Sequence, residues 1–483
     1  MKRFLYLVLL ILLTVGLVAC GGTAEPTEAP AAEEPAEEPV EEPEEEEPAE
    51  EPTEEEPMEE EEPAEEEEPA EEAGSPIYLM GADGLTSDTF FENVGETGVG
   101  MYFSGPLFPS GGDYEDLVAS YEEAYGESPI QAFHSHAYDA TNIALNAIQQ
   151  VAEEQDDGSL VIDRQALIEA VYQSSHDGLT GNLACNEFGD CAAPAIGIFR
   201  FESVDMGASD VINNVQASYE FDPPEAGRGV VPEAPEGVEL GEIVVEEGAP
   251  IELATLQAIS GAVTNLGTDQ VRAVELAIED FGDIAGHPVQ LSMEEDDLCN
   301  SEGGQLGAQR IVANPQVVAI IGTSCSGAAV PASEVAAGAG YLIISASNTA
   351  PALTAVGYFS EEGPSRGDNW SYGYFRTAHN DEFQGRAAAT YAFEELGLSQ
   401  IATINDGDPY TQGLTSAMGS SFEGLGGEVV LATAVGKEQE DMRPVLTEVA
   451  ASGAELVYFP IFEPAGNFIV LQAEEVGMEI QRP

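Results

Sequence analysis

IELATLQAISGAVTNLGTDQVRAVELAIEDF, residues 251–281, holds two kinds of order in one stretch. IELATLQA is a short aliphatic and β-branched run and reads as a buried strand. QVRAVELAIEDF carries its apolar residues at helical spacing and stops at Gly282. A strand that hands over to an amphipathic helix through a short polar loop is the repeating unit of a layered α/β domain.

The same alternation extends outward over residues 75–222 and 249–483. Further strands read at IYLMGA, GVGMYFSG, AIGIFRF, PVQLSME, VVAIIGTSC, YLIISAS, QIATIND, EVVLATA and ELVYFPIF. Helical spacing recurs in GGQLGAQRIVAN, QGRAAATYAFEELG, DMRPVLTEVAASG, GNFIVLQAEEVGM, DLVASYEEAYG and AYDATNIALNAIQQVA. Roughly four hundred residues in this pattern exceed what one core usually holds, so two lobes are expected, each a parallel sheet flanked by helices. Between them, residues 223–248 (PPEAGRGVVPEAPEGVELGEIVVEEG) are rich in Pro, Gly and Glu and read as a linker.

The N-terminal region has a different character. MKRFLYLVLLILLTVGLVAC, residues 1–20, has two cations and an apolar run too short for a membrane span. It reads as a lipoprotein signal peptide, with Cys20 as the lipidated residue and the protein anchored outside the cytoplasmic membrane. Residues 21–74 are almost entirely Glu, Pro and Ala, cannot bury apolar surface and read as a disordered tether. Extended at about 3.1 Å per residue, that segment reaches roughly 150 Å. The net charge of −78 is shared between tether and body, with Lys only at Lys2 and Lys437. Such a surface makes nucleic acid an unlikely partner.

Beyond Cys20, the cysteines are Cys185, Cys191, Cys299 and Cys325, an even number suited to an oxidising compartment. Of the three possible pairings, proximity favours Cys185 with Cys191 and Cys299 with Cys325. CxxC spacing for zinc is absent. Enzyme signatures are thin. GTSCSG (322–327) superficially has a nucleophile turn, and a surface enzyme using Cys325 is the competing class, but no His stands in a partner motif. His134 and His136 would share a face if extended, yet a lone HxH is a weak metal signal; no metal and no cofactor are expected.

Several strand ends instead lead into hydroxyl- or carboxylate-bearing loops: CSGAAVPASEV, SASNTAPALT and GADGLTSDTF. Ligands of open α/β sheets bind at such carboxyl ends, where helix N-termini hold a carboxylate and an Asp pairs with an ammonium. Each residue alone reads as an N-cap; together they point to a site for a zwitterion.

These loops also carry a family resemblance. The 251–281 stretch, DDLCNSEGGQLGAQRIV, VVAIIGTSCSGAAVPASEV, ISASNTAPALT, the segment 374–414 and ELVYFPIFEPAGNFIVLQAEEVGM resemble the first two thirds of a type I periplasmic binding protein of branched-chain amino acid ABC importers. LMGADGLTSDTFFENVGETGVGMYFSGP and FHSHAYDATNIALNAI resemble its last third. The order is inverted relative to the family, so the chain reads as circularly permuted: 75–222 is the C-terminal-type portion and 249–483 the N-terminal-type portion. A fusion of the back of one binding protein to the front of another would give the same order, but the near-complementary coverage favours permutation.

The resemblance implies a non-enzymatic, lipid-anchored protein that closes two lobes on a branched-chain or similar amino acid and delivers it to ABC permease subunits. A ligand-sensing receptor of the same fold, coupled to a signalling protein, is the alternative. Carried over by position, Ser326 and Thr349 resemble the hydroxyls that hold the ligand carboxylate, and the backbone near Ser347 an acceptor for its ammonium. Asp83 matches the acidic residue that pairs with that ammonium. Tyr410, Phe462 and Phe133 resemble cleft aromatics, Leu266 takes a place where an aromatic is usual, and Cys299 and Cys325 match the family's disulfide. Two departures from the family are visible, and both bear on ligand identity: Asp83 stands where a Glu is usual, and the insertion YFSEEGPSRGDNWSYG around Trp370 is expected to reshape the pocket rim.

Overall fold

The computed structural model describes residues 76–129, 131–221, 228–235 and 240–482. The signal peptide, Cys20 and the tether expected at 21–74 lie outside the described residues, as does part of the expected linker. No helix among the described residues is long and apolar enough to cross a membrane.

Along the chain, β1 (Tyr78–Ala82), α1 (Asp88–Gly98) and β2 (Tyr102–Pro106) are followed by α2 (Gly112–Tyr125), α3 (His134–Val151), β3 (Leu160–Asp163) and α4 (Arg164–Tyr172). Next come β4 (Ala195–Arg200), α5 (Ala208–Asn213), β5 (Val215–Glu220) and β6 (Glu242–Val245). Then β7 (Ile251–Gln257), α6 (Thr264–Phe281), β8 (Val289–Asp296), α7 (Ser301–Val312), β9 (Val317–Gly322), α8 (Ser326–Gly338), β10 (Leu342–Ser345) and β11 (Tyr374–Arg376) build one lobe. After them α9 (Asp381–Thr390), β12 (Gln400–Asn405), α10 (Pro409–Leu425), β13 (Glu428–Ala434), α11 (Arg443–Ser452), β14 (Leu456–Tyr458) and α12 (Ala465–Ala473) build most of the other.

Lobe I centres on the all-parallel sheet β8-β7-β9-β10-β11. Its inner strands β7 and β9 are largely apolar because helices cover both faces: Ile251, Leu253, Val318 and Ile321 pack on one side, Ala254, Leu256, Val317 and Ile320 on the other. Lobe II is the sheet β13-β12-β14-β1-β2-β4-β5, in which only β4 runs antiparallel to the rest.

Numbered along the chain, the five strands of lobe I lie in the order 2-1-3-4-5, the flavodoxin-like winding of open α/β sheets. Lobe II repeats that order when β12, β13 and β14 are counted first and β1 and β2 after them. Here β14 lies parallel beside β1, Tyr78 opposite Leu456, and α12 packs on α1. The segment after α12 runs back to the start of β1: Ile77 N–H donates to Glu479 O at 2.7 Å and Gln481 N–H to Ile77 O at 2.9 Å.

The stretch expected as a linker is structured at its far end. β6 pairs antiparallel with β3, burying Ile243 and Val245 against Leu160 and Ile162. The alternating apolar pattern of EIVV, masked in the sequence by surrounding Glu, Pro and Gly, is what a half-buried strand requires. Both disulfides close as proximity favours, Cys185 with Cys191 and Cys299 with Cys325, so Cys325 is no thiol nucleophile.

The lobes meet along a cleft. At one point the first turn of α8 in lobe I touches the Asp408 N-cap of α10 in lobe II: a Cβ on Gly327 would lie 2.5 Å from Asp408 Oδ2. Only glycine permits that approach.

Candidate functional site

Lobe I contributes the turn after β9. Ser324 leads through Cys325 into the first residue of α8, Ser326. The turn is braced from beneath. Ser324 Oγ donates to Gln257 Oε1 at 2.6 Å, and Ser324 N–H donates to Asp297 Oδ2 at 2.7 Å. Asp297 is fully buried and burial pushes its carboxyl up to about 7, against the backbone N–H groups that favour its charge. The Cys299–Cys325 bridge ties the same turn to the segment before α7. The braced turn presents the start of a helix, whose first N–H groups lack intrahelical partners and suit an anion.

Lobe II contributes Asp83, which opens a single 3-10 turn at the carboxyl end of β1; Thr86 Oγ1 donates to Asp83 O at 2.8 Å and holds that turn. Asp83 Oδ1 accepts from Gln384 Nε2 at 2.8 Å and from Tyr410 OH at 3.3 Å. Among the described residues, both hydrogen bonds to this carboxylate from other side chains end on Oδ1, and Asp83 lines the cleft. Burial pushes the Asp83 carboxyl up to about 6, with Gln384 and Tyr410 opposing the rise.

Gln384, on α9, is held in turn. Its Nε2 also donates to Ser104 O at 3.0 Å, and its Oε1 lies 2.5 Å from His379 Nε2. That contact requires the proton on His379 Nε2. Burial lowers the pKa of His379 to about 3, so the ring is neutral. Deeper in, Asp381 is fully buried and neither carboxylate oxygen hydrogen-bonds within the described residues. Burial holds its carboxyl well above the usual range, and the nearby Thr349 hydroxyl lowers it only in part.

The cleft brings together most of the residues picked from the sequence. Asp83, Ser326, Ser347, Tyr410, Phe462, Leu266 and Phe133 line one space of about 750 Å³, part of it open to solvent. Tyr410 and Phe462 form one wall with ring centroids 5.3 Å apart. Phe462 also covers Gly84, where a Cβ would lie 2.8 Å from the ring. Ser347 sits at the cleft floor, its hydroxyl donating to Ser324 O at 2.8 Å. Ser326 Oγ accepts from Ala350 N–H at 3.3 Å.

Thr349 departs from expectation. It is 1% exposed and does not line the cleft. Its carbonyl accepts Asp381 N–H at 2.9 Å, at the start of α9, so the loop after β10 turns it toward the lobe junction. His134 and His136 do not form a shared face either. Both fall in the first turn of α3, where residues two apart diverge. His134 is engaged by Gln131 O at 2.7 Å and Tyr114 OH at 3.1 Å.

The sequence reading passed over Gln384, His379, Asp381 and Glu463. Gln384 carried a faint signal, a polar residue on the face of DEFQGRAAAT otherwise occupied by small residues.

Residues 250–481 match the family described as periplasmic binding protein. An amino acid binding protein of Pseudomonas aeruginosa is 32% identical over 222 residues, 45% of this chain and 56% of that protein. A Leu/Ile/Val-binding protein of Escherichia coli is 28% identical over 234 residues, 48% of this chain and 60% of that protein. The chain thus spans less than two thirds of the length of these curated relatives. Among solved structures, a leucine binding protein from Thermotoga maritima aligns with 47% of this chain and 61% of its own, at 21% identity and a TM-score of 0.41. A branched-chain amino acid transporter substrate binding protein from Streptococcus pneumoniae, in complex with isoleucine, aligns with 48% and 63% at 22% identity and a TM-score of 0.40.

Proposed function

From the match of residues 250–481 to the periplasmic binding protein family, we propose that this chain is an extracytoplasmic solute-binding protein that captures an amino acid by closure of its two lobes. The carrying observation is the opposition of two charges across one cleft. The Ser324–Ser326 turn of lobe I offers helix-start N–H groups to a carboxylate, and Asp83 of lobe II offers a carboxylate to an ammonium. A zwitterion spanning that distance satisfies both lobes at once, which couples binding to closure. The names of the relatives, which carry Leu, Ile and Val, support an amino acid or similar small zwitterion as cargo. Delivery to an ABC permease and anchoring through lipidated Cys20 complete the proposal.

The test is a thermal-shift series on the full chain with amino acids, their deaminated acids and their decarboxylated amines. Stabilisation by α-amino acids, with both truncated series inactive at equal concentration, is the expected result. Equal stabilisation by the deaminated acids would remove the ammonium half of the site.

The permuted order is part of the same proposal. It is supported by the 2-1-3-4-5 order that lobe II adopts only when β1 and β2 follow β14. A rearranged chain, with residue 482 joined to 76 by a short linker and opened between residues 222 and 240, is expected to bind the same ligand within about threefold. Loss of folding in that rearrangement, with the original order folding normally, would count against it.

A further inference from the structure

The lobe II wall has a second carboxylate. Asp83 bonds to Tyr410, Tyr410 packs on Phe462, and Glu463 follows Phe462 at the cleft edge beside α1. The wall therefore runs from a carboxylate across two aromatic rings to another carboxylate. Glu463 does not swing freely in solvent. Ser87 Oγ, at the N-cap of α1, donates to its Oε2 at 3.3 Å, and Asn467 Nδ2, on α12, donates to its Oε1 at 3.2 Å. Those two partners hold the carboxylate at the edge of the space that Glu463 lines together with Phe462 and Leu266.

Charge matching leaves this group over. The start of α8 answers the α-carboxylate of an amino acid and Asp83 answers its ammonium, while no Lys or Arg is among the residues that line the cleft. Closure over an aliphatic side chain would dry Glu463 with only its two existing hydrogen bonds, and a desolvated, under-satisfied carboxylate opposes closure. Burial already raises the Glu463 carboxyl above its ordinary value, against the help of Asn467 and Ser87. A nitrogen donor brought alongside removes that penalty, while the aromatic pair accommodates an apolar or cationic stem. On the opposing lobe, Asn265 and Gln131 line the same space.

Resting on the reading that the cleft takes an α-amino acid, we propose that the ligand's side chain ends in a nitrogen hydrogen-bond donor, an ammonium, guanidinium or amide, and that Glu463 is the residue that selects it. Glu463 thus sets specificity at one end of the wall, as Asp83 does at the other.

Calorimetric titration of the full chain with leucine, isoleucine, glutamine, ornithine, lysine and arginine decides it. The tightest ligand is expected among the last four, at least tenfold tighter than leucine. Glu463→Gln is expected to weaken that ligand tenfold or more where it is cationic, and threefold or more where it is glutamine, while strengthening leucine binding, since the charge that opposes closure over an aliphatic side chain is gone. Leucine or isoleucine as the tightest ligand overturns the inference and leaves the amino-acid reading standing. An equal loss for every ligand in Glu463→Gln also overturns it, since that marks a structural role. Binding of none of the six overturns both. The wild-type panel stands whether or not the variant folds.

Discussion

Asp190→Ala lowers the stability of the folded chain by about 3–5 kcal/mol, the cost of leaving a buried cation without its partner. Arg376 closes β11, where the chain passes from lobe I into α9 of lobe II, and its side chain is wholly buried. Its Nε donates to Asp190 Oδ1 at 2.5 Å, Nη1 to Asn348 O and Ala350 O at 3.1 and 2.9 Å, and Nη2 to Thr354 Oγ1 at 2.5 Å. Asp190 also accepts from the Tyr358 hydroxyl and from Thr354 Oγ1. Its loop, bounded by Cys185–Cys191, pairs with the end of β11 through Arg376 N–H to Gly189 O at 3.0 Å and Cys191 N–H to Arg376 O at 3.1 Å.

Removing the carboxylate strands the guanidinium among carbonyls and hydroxyls that cannot neutralise it. Urea unfolding followed by circular dichroism checks the number, and a loss under about 1 kcal/mol would show that the carbonyls alone sustain the cation. The double replacement Asp190→Leu with Arg376→Met is expected to recover part of the loss, because a buried pair exchanged for apolar groups of similar volume is often near neutral. The same pair sits where the chain crosses from lobe I to lobe II, the crossing about which the proposed closure would turn.

Why some elements were readable and others not follows from what each residue answers to. β9 announces itself as an unbroken apolar run, and β7 and β12 as largely apolar ones, because both sheet faces are buried, and the hydroxyl loops after β9 and β10 stand out because polar residues there interrupt such runs. β6 is invisible by composition: Glu242 and Val244 face solvent, and only Ile243 and Val245 carry the strand signal. Gln384 owes its role to partners about three hundred residues away in sequence, Asp83 and Ser104; local pattern holds no trace of that. Thr349 is picked by its position along the loop as a ligand hydroxyl; in the fold it lies just behind the cleft lining, its carbonyl accepting Asp381 N–H at the start of α9.

Asp83→Ala weakens amino acid binding by about 1.5–3 kcal/mol, roughly 10- to 150-fold in Kd, if its carboxylate holds the ligand ammonium in a charge-assisted hydrogen bond. The pH dependence supplies the sharper test. In the ligand-free fold the Asp83 carboxyl lies near 6, above its ordinary 3.8, because burial disfavours the charge. A carboxyl raised in the folded state makes the proton bind the fold more tightly than the unfolded chain. Its contribution to stability is therefore fully present below 3.8 and is lost as pH rises through about 6. An ammonium ligand selects the ionised form and reverses that loss. Affinity is expected to fall about tenfold per pH unit below pH 6 and to be flat from about pH 7 until the ligand's own ammonium begins to deprotonate.

Of the groups around Asp83, His379 is held neutral by burial, Gln384 and Ser104 do not titrate, and burial raises Tyr410 well above its ordinary value. Burial also raises the carboxyls of Asp381 and of Asp297 beneath the Ser324 turn, so the Asp83 variant is what assigns the slope. Asp83→Asn preserves an acceptor for Gln384 and removes the charge, so its binding is expected to be weak and level across pH 5–7.5. A slope that survives in Asp83→Asn would place the titrating group elsewhere in the cleft, with Glu463 the next to replace.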